Sequence, residues 1–293
     1  MVKPSRRLEI VLWIAAFAAI VVGSRYLLSP AEQTAEDRRV VRIGYVSWAE
    51  GIAMTHLIRV LVEDRFGYEV ELTLADPAPI FTSLANREID LFLDAWLPQT
   101  HGSHMAEYGD RLNDLGPNYE GARIGLVVPA YVNLDSIPEL GANAARVDGA
   151  ITGIDSGAGI MEATRRAVDV YDLDMSLLAS SGAAMTASLR DAIQAERAIV
   201  VTGWRPHWMF ARWDLKFLED PEQVYGTAES IHTLARRGLA RDMPELVGFL
   251  RAFTLTDEQI GSLMYRMRQT TSQREAAAAW IDEHADLVDS WIR

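Results

Sequence analysis

Val200-Val201-Thr202-Gly203-Trp204-Arg205-Pro206-His207-Trp208-Met209-Phe210 is an apolar run that reaches Gly-Trp and then meets proline. It reads as a buried strand delivering an indole to the carboxyl edge of a sheet. Two earlier segments repeat the plan: Ile43-Gly44-Tyr45-Val46-Ser47-Trp48 and Ile89-Asp90-Leu91-Phe92-Leu93-Asp94-Ala95-Trp96. A single tryptophan at a strand end is ordinary core or interface packing. Three of them predict aromatic faces meeting in one crevice, which suits a cation that cannot donate hydrogen bonds, above all a quaternary ammonium.

Working outward, the segments fall into two strand–helix–strand units. In the first, Val40 to Val46 is a strand and the apolar spacing from Met54 to Val62 is a helix ending at Phe66-Gly67. Tyr68 to Leu74, Pro77 to Asn86 and Ile89 to Leu93 then read as strand, helix and strand. The order implies a parallel sheet with helices on its faces. The second unit has strands at Arg123–Pro129, Ala150–Ile154 and Ala198–Val201, with helices through Val168 and over Thr186–Glu196. From Ala228 onward helical patterns dominate, at Met243–Phe253, Thr256–Met267 and Gln273–Trp291. The fold class is therefore α/β, with two lobes around a cleft and a C-terminal tail that returns to the first lobe. Residues 40–120 are assigned to lobe I, 121–224 to lobe II, and 225–293 to the return.

The 293-residue chain is long enough for two lobes with proper cores. It contains no cysteine, which excludes disulfides, thiolate catalysis and a lipidated N-terminal cysteine. Its formal net charge is −13, and the first 31 residues set Lys3, Arg6, Arg7 and Arg25 against Glu9 alone, so the remainder is more acidic still. That balance argues against nucleic acid as a partner and is compatible with a cationic or zwitterionic ligand. Lys3, Arg6 and Arg7 precede the uncharged apolar run Ile10 to Val22, the plan of an export signal. Residues 1–31 are read as a signal sequence or an uncleaved membrane anchor, since Leu8 to Leu28 is long enough to span. Residues 32–39 form a polar linker, and the body is placed in the periplasm or on the outer face of the cytoplasmic membrane.

Other chemistry is weighed against bland alternatives. Asp155-Ser-Gly-Ala-Gly159 before a helix is a plausible anion-binding turn, but Glu162 stands where the dinucleotide fingerprint needs its third glycine and there is no Walker lysine. A tight strand-to-helix turn lining the cleft is the simpler reading. Glu50-Gly51-Ile52 opens a helix just after Trp48, so the amides of Gly51 and Ile52 can receive a ligand carboxylate beside an aromatic wall. The plain alternative is an ordinary helix start. His101 and His104 can share a metal, which would make the chain a membrane-anchored metal-dependent hydrolase, yet no third ligand or His-Glu-x-x-His pattern accompanies them. His207 lacks a nucleophile elbow, so it reads as structural rather than as a base, and it is kept among the ligand-binding candidates beside Trp204. Trp213, Trp280 and Trp291 read as packing. No cofactor, metal or enzyme activity is expected. A ligand-sensing module is a third reading, which needs a partner for output.

With these residues in view, the chain resembles the substrate-binding components of glycine betaine, choline and carnitine ABC importers. The stretches that carry the resemblance are Tyr45-Val-Ser-Trp-Ala-Glu-Gly-Ile-Ala53, Asp94-Ala-Trp-Leu-Pro-Gln-Thr-His101, Leu115-Gly-Pro-Asn118, Thr152-Gly-Ile-Asp-Ser-Gly-Ala-Gly159, Val201-Thr-Gly-Trp-Arg-Pro-His-Trp-Met-Phe210 and Leu239-Ala-Arg-Asp-Met-Pro244. The resemblance implies a type II periplasmic-binding-protein fold that closes on its ligand, with an ABC permease and its ATPase subunit as partners. It implies that Trp96 and Trp204 are cage walls, that Trp48 matches a cage position of the choline branch, and that Gly51 and Ile52 hold a betaine carboxylate. Glu50 falls where the choline branch has an acidic residue. Leu255, in Phe253-Thr-Leu-Thr256, stands where some glycine betaine binders have a third cage tryptophan, so Trp48 or Tyr119 is expected to complete the cage. Glycine betaine leads as ligand, followed by choline, carnitine and other betaines.

Overall fold

The computed structural model describes residues 39–292. The readings placed on the export segment, whether signal or transmembrane anchor, lie outside the described residues. Among the described residues no helix is long and apolar enough to cross a membrane.

The first lobe begins with β1 (Val40–Tyr45), whose apolar side chains are almost all covered. It feeds α1 (Ala49–Phe66), which starts with Trp48 in an extended conformation and stops at Gly67. Gly67 takes the left-handed conformation at φ 68°, and its amide closes on the Val62 carbonyl, a backbone state that only glycine adopts without cost. Strand β2 (Glu69–Leu74) and helix α2 (Pro77–Ala85) follow, the helix opened by proline at its first position, where a missing N–H costs nothing. Strand β3 (Leu91–Leu97) is buried along nearly its whole length and runs parallel to β1. A short helix α3 (Gly102–Tyr108) completes this part.

The lobes are joined through one long strand, β4 (Leu112–Pro129). Its first part, through Ala122, pairs antiparallel with β9 (Glu229–Arg236), and its second part, from Arg123, pairs antiparallel with β7 (Val200–Arg205). Between these lie α4 (Glu139–Asn143), β5 (Ala150–Thr152), α5 (Gly159–Val170), β6 (Ser176–Leu178) and α6 (Gly182–Gln194). Strand β5 runs parallel to both β6 and β7. After β7 come α7 (Met209–Arg212) and β8 (Leu215–Phe217), the latter pairing with the end of β4. The strand order is β2-β1-β3-β9-β4-β7-β5-β6, one continuous mixed sheet in which the parallel pairs sit on both sides of the antiparallel β9 and β4.

Two stretches differ from the sequence reading. The region after Ala228 holds strand β9, where helical patterns were expected to dominate. The strand expected over Arg123–Pro129 begins eleven residues earlier, at Leu112. The helices that follow are α8 (Leu239–Asp242), α9 (Pro244–Ala252), α10 (Asp257–Gln269), α11 (Gln273–Glu283) and α12 (Ala285–Trp291). The single helix expected over Gln273–Trp291 is thus two, parted at His284, whose ring stacks on Trp280 at 4.0 Å. Helices α10 and α11 pack on α1, and Arg274 of α11 reaches Glu63 and Asp64 of α1. Trp280 and Trp291 are buried there, as expected of packing residues.

Asp90 ties three strands of the first lobe together. Its carboxylate is 3% exposed and accepts from the Arg42 amide at 2.8 Å and from Arg236 Nε at 2.5 Å, while its own backbone bonds to Arg42 and Arg236. Removing Asp90 leaves the Arg42 amide without its acceptor and Arg236 with Asp242 as its remaining partner. Asp90→Ala is expected to cost about 1.5–3 kcal/mol in urea unfolding. A loss below about 1 kcal/mol, the size of an exposed pair, would show that Asp90 is not a tie.

Candidate functional site

Both indole-bearing strands end in a cis proline, Leu97-Pro98 after Trp96 and Arg205-Pro206 after Trp204. Strand β3 brings Trp96 to the lobe boundary, β7 brings Trp204, and the start of α1 brings Trp48; all three are buried. They line one narrow cavity, about 20 Å³, together with Glu50, Thr100, Ile124, Ile154, Ala158, Gly159 and Ile160. Ile124 stands beside Trp204 in the β4–β7 register. The walls are thus three aromatic faces, aliphatic side chains and one carboxyl group, without a lysine or arginine.

Each indole is braced. Trp96 Nε1 donates to Asp94 Oδ1 at 2.9 Å, and Trp204 Nε1 donates to Glu50 Oε2 at 2.7 Å, across the lobe boundary. Trp48 stacks on the His101 ring, 5.9 Å between centroids and 18° between planes. His101 is fully buried and accepts the Trp96 amide at Nδ1, 3.0 Å away, which places its proton on Nε2. Burial, with His104 nearby, pulls its pKa down to about 3, so the ring is neutral. His207 packs edge-on against Trp204 at 4.6 Å and accepts the Met209 amide at 3.1 Å. Burial, then the Arg268 charge, takes its pKa down to about 3 as well. His207 therefore supports the indole from behind, as the structural reading expects.

The two carboxyls are the unusual electrostatic feature. Glu50 and Asp94 are buried, and each has one oxygen on an indole N–H and one, Glu50 Oε1 and Asp94 Oδ2, without a hydrogen-bond partner. Burial raises the Asp94 pKa to about 7. Burial, then the neighbouring Asp94 charge, raises Glu50 well above the ordinary carboxyl range. Gly51 lies between them: a Cβ there would come within 2.5 Å of Asp94 Oδ2, so only glycine leaves room for the carboxyl.

A second close approach joins the lobes. A Cβ on Gly159, at the start of α5, would lie 2.6 Å from the Thr100 carbonyl oxygen. Thr100 is itself held by Glu229 of β9, whose carboxylate accepts the amides of Gln99 at 2.7 Å and Thr100 at 2.8 Å and bonds the Thr100 hydroxyl. The lobes are in contact around the cavity, the arrangement of a closed binding protein.

Of the residues singled out in the sequence, Trp48, Trp96, Trp204 and Glu50 meet in the cavity. Three do not take the places expected of them. The Ile52 amide donates to the Trp48 carbonyl at 2.9 Å, the first full bond of α1, so it is not free for a carboxylate, whereas Gly51 remains in the unbonded first turn. Tyr119 lies in the β4–β9 ladder with its hydroxyl on Asp257, outside the cavity, because the start of α10 claims it. His207, the third, stands behind Trp204 and is not among the residues lining the cavity. Leu255, where a third cage tryptophan is missing, is buried with its amide bonded to Asn118 O at 2.8 Å. The metal reading fails on geometry: His101 Nδ1 is taken by a backbone amide, His104 stacks on Phe81 at 4.8 Å, and no metal-holding cluster of side chains exists among the described residues. Asp94, Thr100 and Ile160 were not anticipated as site residues, while the turn ending at Gly159 lines the cleft as its sequence suggested.

Residues 39–283 match the family model of the substrate binding domain of ABC-type glycine betaine transport systems. The chain belongs to that family. A glycine betaine/carnitine transport binding protein, GbuC of Listeria monocytogenes serotype 1/2a (strain 10403S), is 49% identical over 144 residues. That match covers 48% of this chain and 48% of GbuC, about half the length of each. Among solved structures, lactococcal OpuAC in its closed, glycine betaine-bound conformation is 37% identical with a TM-score of 0.82, covering 87% of this chain and all of that one. ProX from Borrelia burgdorferi is 32% identical with a TM-score of 0.83, covering 87% and 97% of the two chains. A choline binding protein in complex with choline is 26% identical with a TM-score of 0.80, covering 86% and 91%. These neighbours share the two-lobed, type II binding-protein fold, and the family is one of binding domains rather than enzymes.

The raised carboxyls give the ligand-free protein a signed pH dependence. The folded state keeps a proton on Asp94 up to about pH 7, whereas an unfolded aspartate releases it near 3.8. This stabilising contribution is complete below the unfolded value and is lost as pH rises through the folded one. The melting temperature of ligand-free protein is therefore expected to fall between about pH 4 and pH 7 relative to Asp94→Asn, whose curve is flatter. Parallel curves for the two proteins would contradict the assignment.

Proposed function

We propose that the chain is the extracytoplasmic substrate-binding component of an ABC importer and takes a quaternary ammonium solute, glycine betaine first, into the cavity of Trp48, Trp96 and Trp204. The observation that carries this reading is the meeting of three braced indoles around one space that no cationic side chain enters. A trimethylammonium group has no N–H to satisfy, so electron-rich faces are its best partners, at about 0.5–2 kcal/mol each once water is excluded. Three such walls and a polar contact for the other end reach about −8 kcal/mol, a micromolar affinity.

The carboxyl pair suits a zwitterion when it is protonated. Glu50 Oε2 accepts from Trp204, which leaves Oε1 as the hydroxyl oxygen of a neutral acid, able to donate to a ligand carboxylate. The unbonded first-turn amide of Gly51 and the start of α5 at Gly159 and Ile160 flank the same space and favour negative charge. Once loaded, the closed body presents both lobes to a permease, which works with its ATPase subunit across the membrane. The basic and apolar N-terminal segment fits export and retention at the membrane. Choline is the second reading, favoured by the partnerless oxygens of Glu50 and Asp94: a monocation would draw the proton off the pair and form a buried ion pair.

Titration calorimetry separates the two. Glycine betaine is expected to bind in the micromolar range, weakening as pH rises above about 7 because the ionised pair repels its carboxylate. Choline, if it is the ligand, would bind more tightly with rising pH and release a proton. Trp204→Ala is expected to weaken binding at least tenfold, about 1.4 kcal/mol. Absence of heat with glycine betaine, choline and carnitine alike would overturn the cage reading.

A further inference from the structure

A second and larger space, about 440 Å³, opens beside the cage and shares Trp204 with it. It lies within the usual size range of small-molecule sites. Its walls come from both lobes and include Arg190, Arg212, Arg268, Gln194 and Gln273, but no aspartate or glutamate, in a chain whose net charge is −13. Arg190 is matched by its neighbour Asp191 at 2.8 Å. Arg212 of α7 and Arg268 of α10 form no ion pair or hydrogen bond with an acidic group among the described residues. The Arg268 guanidinium lies over the Trp208 ring, 3.4 Å from its centroid, which holds the cation at the groove. Arg268 is held below the ordinary arginine range by burial and then by the charge of Arg212. Both side chains are exposed to solvent, so water screens the two charges from each other and leaves them open to an arriving anion.

The same groove receives the start of α6. Ser181 caps the Ala184 amide at 3.2 Å, and the Gly182 and Ala183 amides in the first turn have no helical partner. We propose that this groove is a second ligand site, taking a small oxyanion, a carboxylate or a phosphate, between Arg212 and Arg268 with the α6 start behind it. Guanidinium groups match such oxygens in a bidentate fashion. Arg212 belongs to the lobe that carries Trp204 and Arg268 to the helices that pack on α1, so a bound oxyanion bridges the lobes in their closed arrangement. Where the quaternary ammonium reading holds, on which this coupling rests, the two ligands strengthen each other reciprocally.

The test uses the full chain, inorganic phosphate and acetate as probes, and the double variant Arg212→Gln/Arg268→Gln. Calorimetry without any quaternary ammonium compound should show saturable binding of at least one probe, and the tighter of the two identifies the oxyanion class. The double variant should lose it. No saturable binding, or binding retained in the double variant, overturns the site. Glycine betaine affinity is then measured with and without the bound probe at constant ionic strength, with an expected gain of about fivefold that the double variant lacks. Probe binding without that gain overturns the coupling alone, and probe binding with no glycine betaine binding overturns the cage reading while the oxyanion site stands.

Discussion

The hydrogen bond from Trp204 Nε1 to Glu50 Oε2 joins residues 154 positions apart and is the contact on which the closed site depends. It ties the Trp204 indole of one lobe to the first helical turn of the other. Its acceptor is a fully buried carboxyl, and an ionised carboxylate there would have a neutral indole N–H and its own backbone amide to offset its lost hydration, but no counter-charge. Protonation removes that cost. The raised pKa of Glu50 and the raised pKa of its neighbour Asp94 are therefore two expressions of the same burial. A site built in this way gains most from a ligand that brings a positive charge and excludes water from the indole faces.

The braces explain why the faces hold still enough to be a site. Trp96 is fixed at Nε1 by Asp94 and at its backbone by His101, and the same histidine stacks on Trp48. A neutral His101 serves both rings at once. Glu229 fixes Thr100, against which Gly159 of the second lobe closes with no room for a side chain. Ordering these groups before the ligand arrives lowers the entropy that binding must overcome.

Much of this was legible in the sequence, and the parts that were not have physical reasons. The apolar strands ending near Trp96 and Trp204 and the start of α1 at Trp48 carry local signals: a buried run, a proline and a helix entry. Strand β9 carries no such signal. Its buried positions include Glu229 and Thr233, whose partners Thr100 and Asn118 lie more than a hundred residues away, so the pattern of burial does not follow hydrophobicity. The early part of β4 contains Gly116, Pro117 and Gly121, turn-forming residues that the strand accommodates through shifts of register with β9. Asp94 reads as polar, and only the folded chain shows it buried beneath Trp96. The amide of Ile52 and the ring of Tyr119 looked available because the partners that hold them, Trp48 O and Asp257 on the tyrosine hydroxyl, are set by helix geometry and tertiary packing.

A crystal structure of the protein grown with glycine betaine would settle where the ligand sits. The trimethylammonium group is expected among the rings of Trp48, Trp96 and Trp204, with Trp204 Nε1 still on Glu50 and the ligand carboxylate turned toward Glu50 Oε1 or the flanking helix starts. A ligand bound elsewhere, or bound in the cavity with the Trp204 indole turned away from Glu50, would contradict the cage reading.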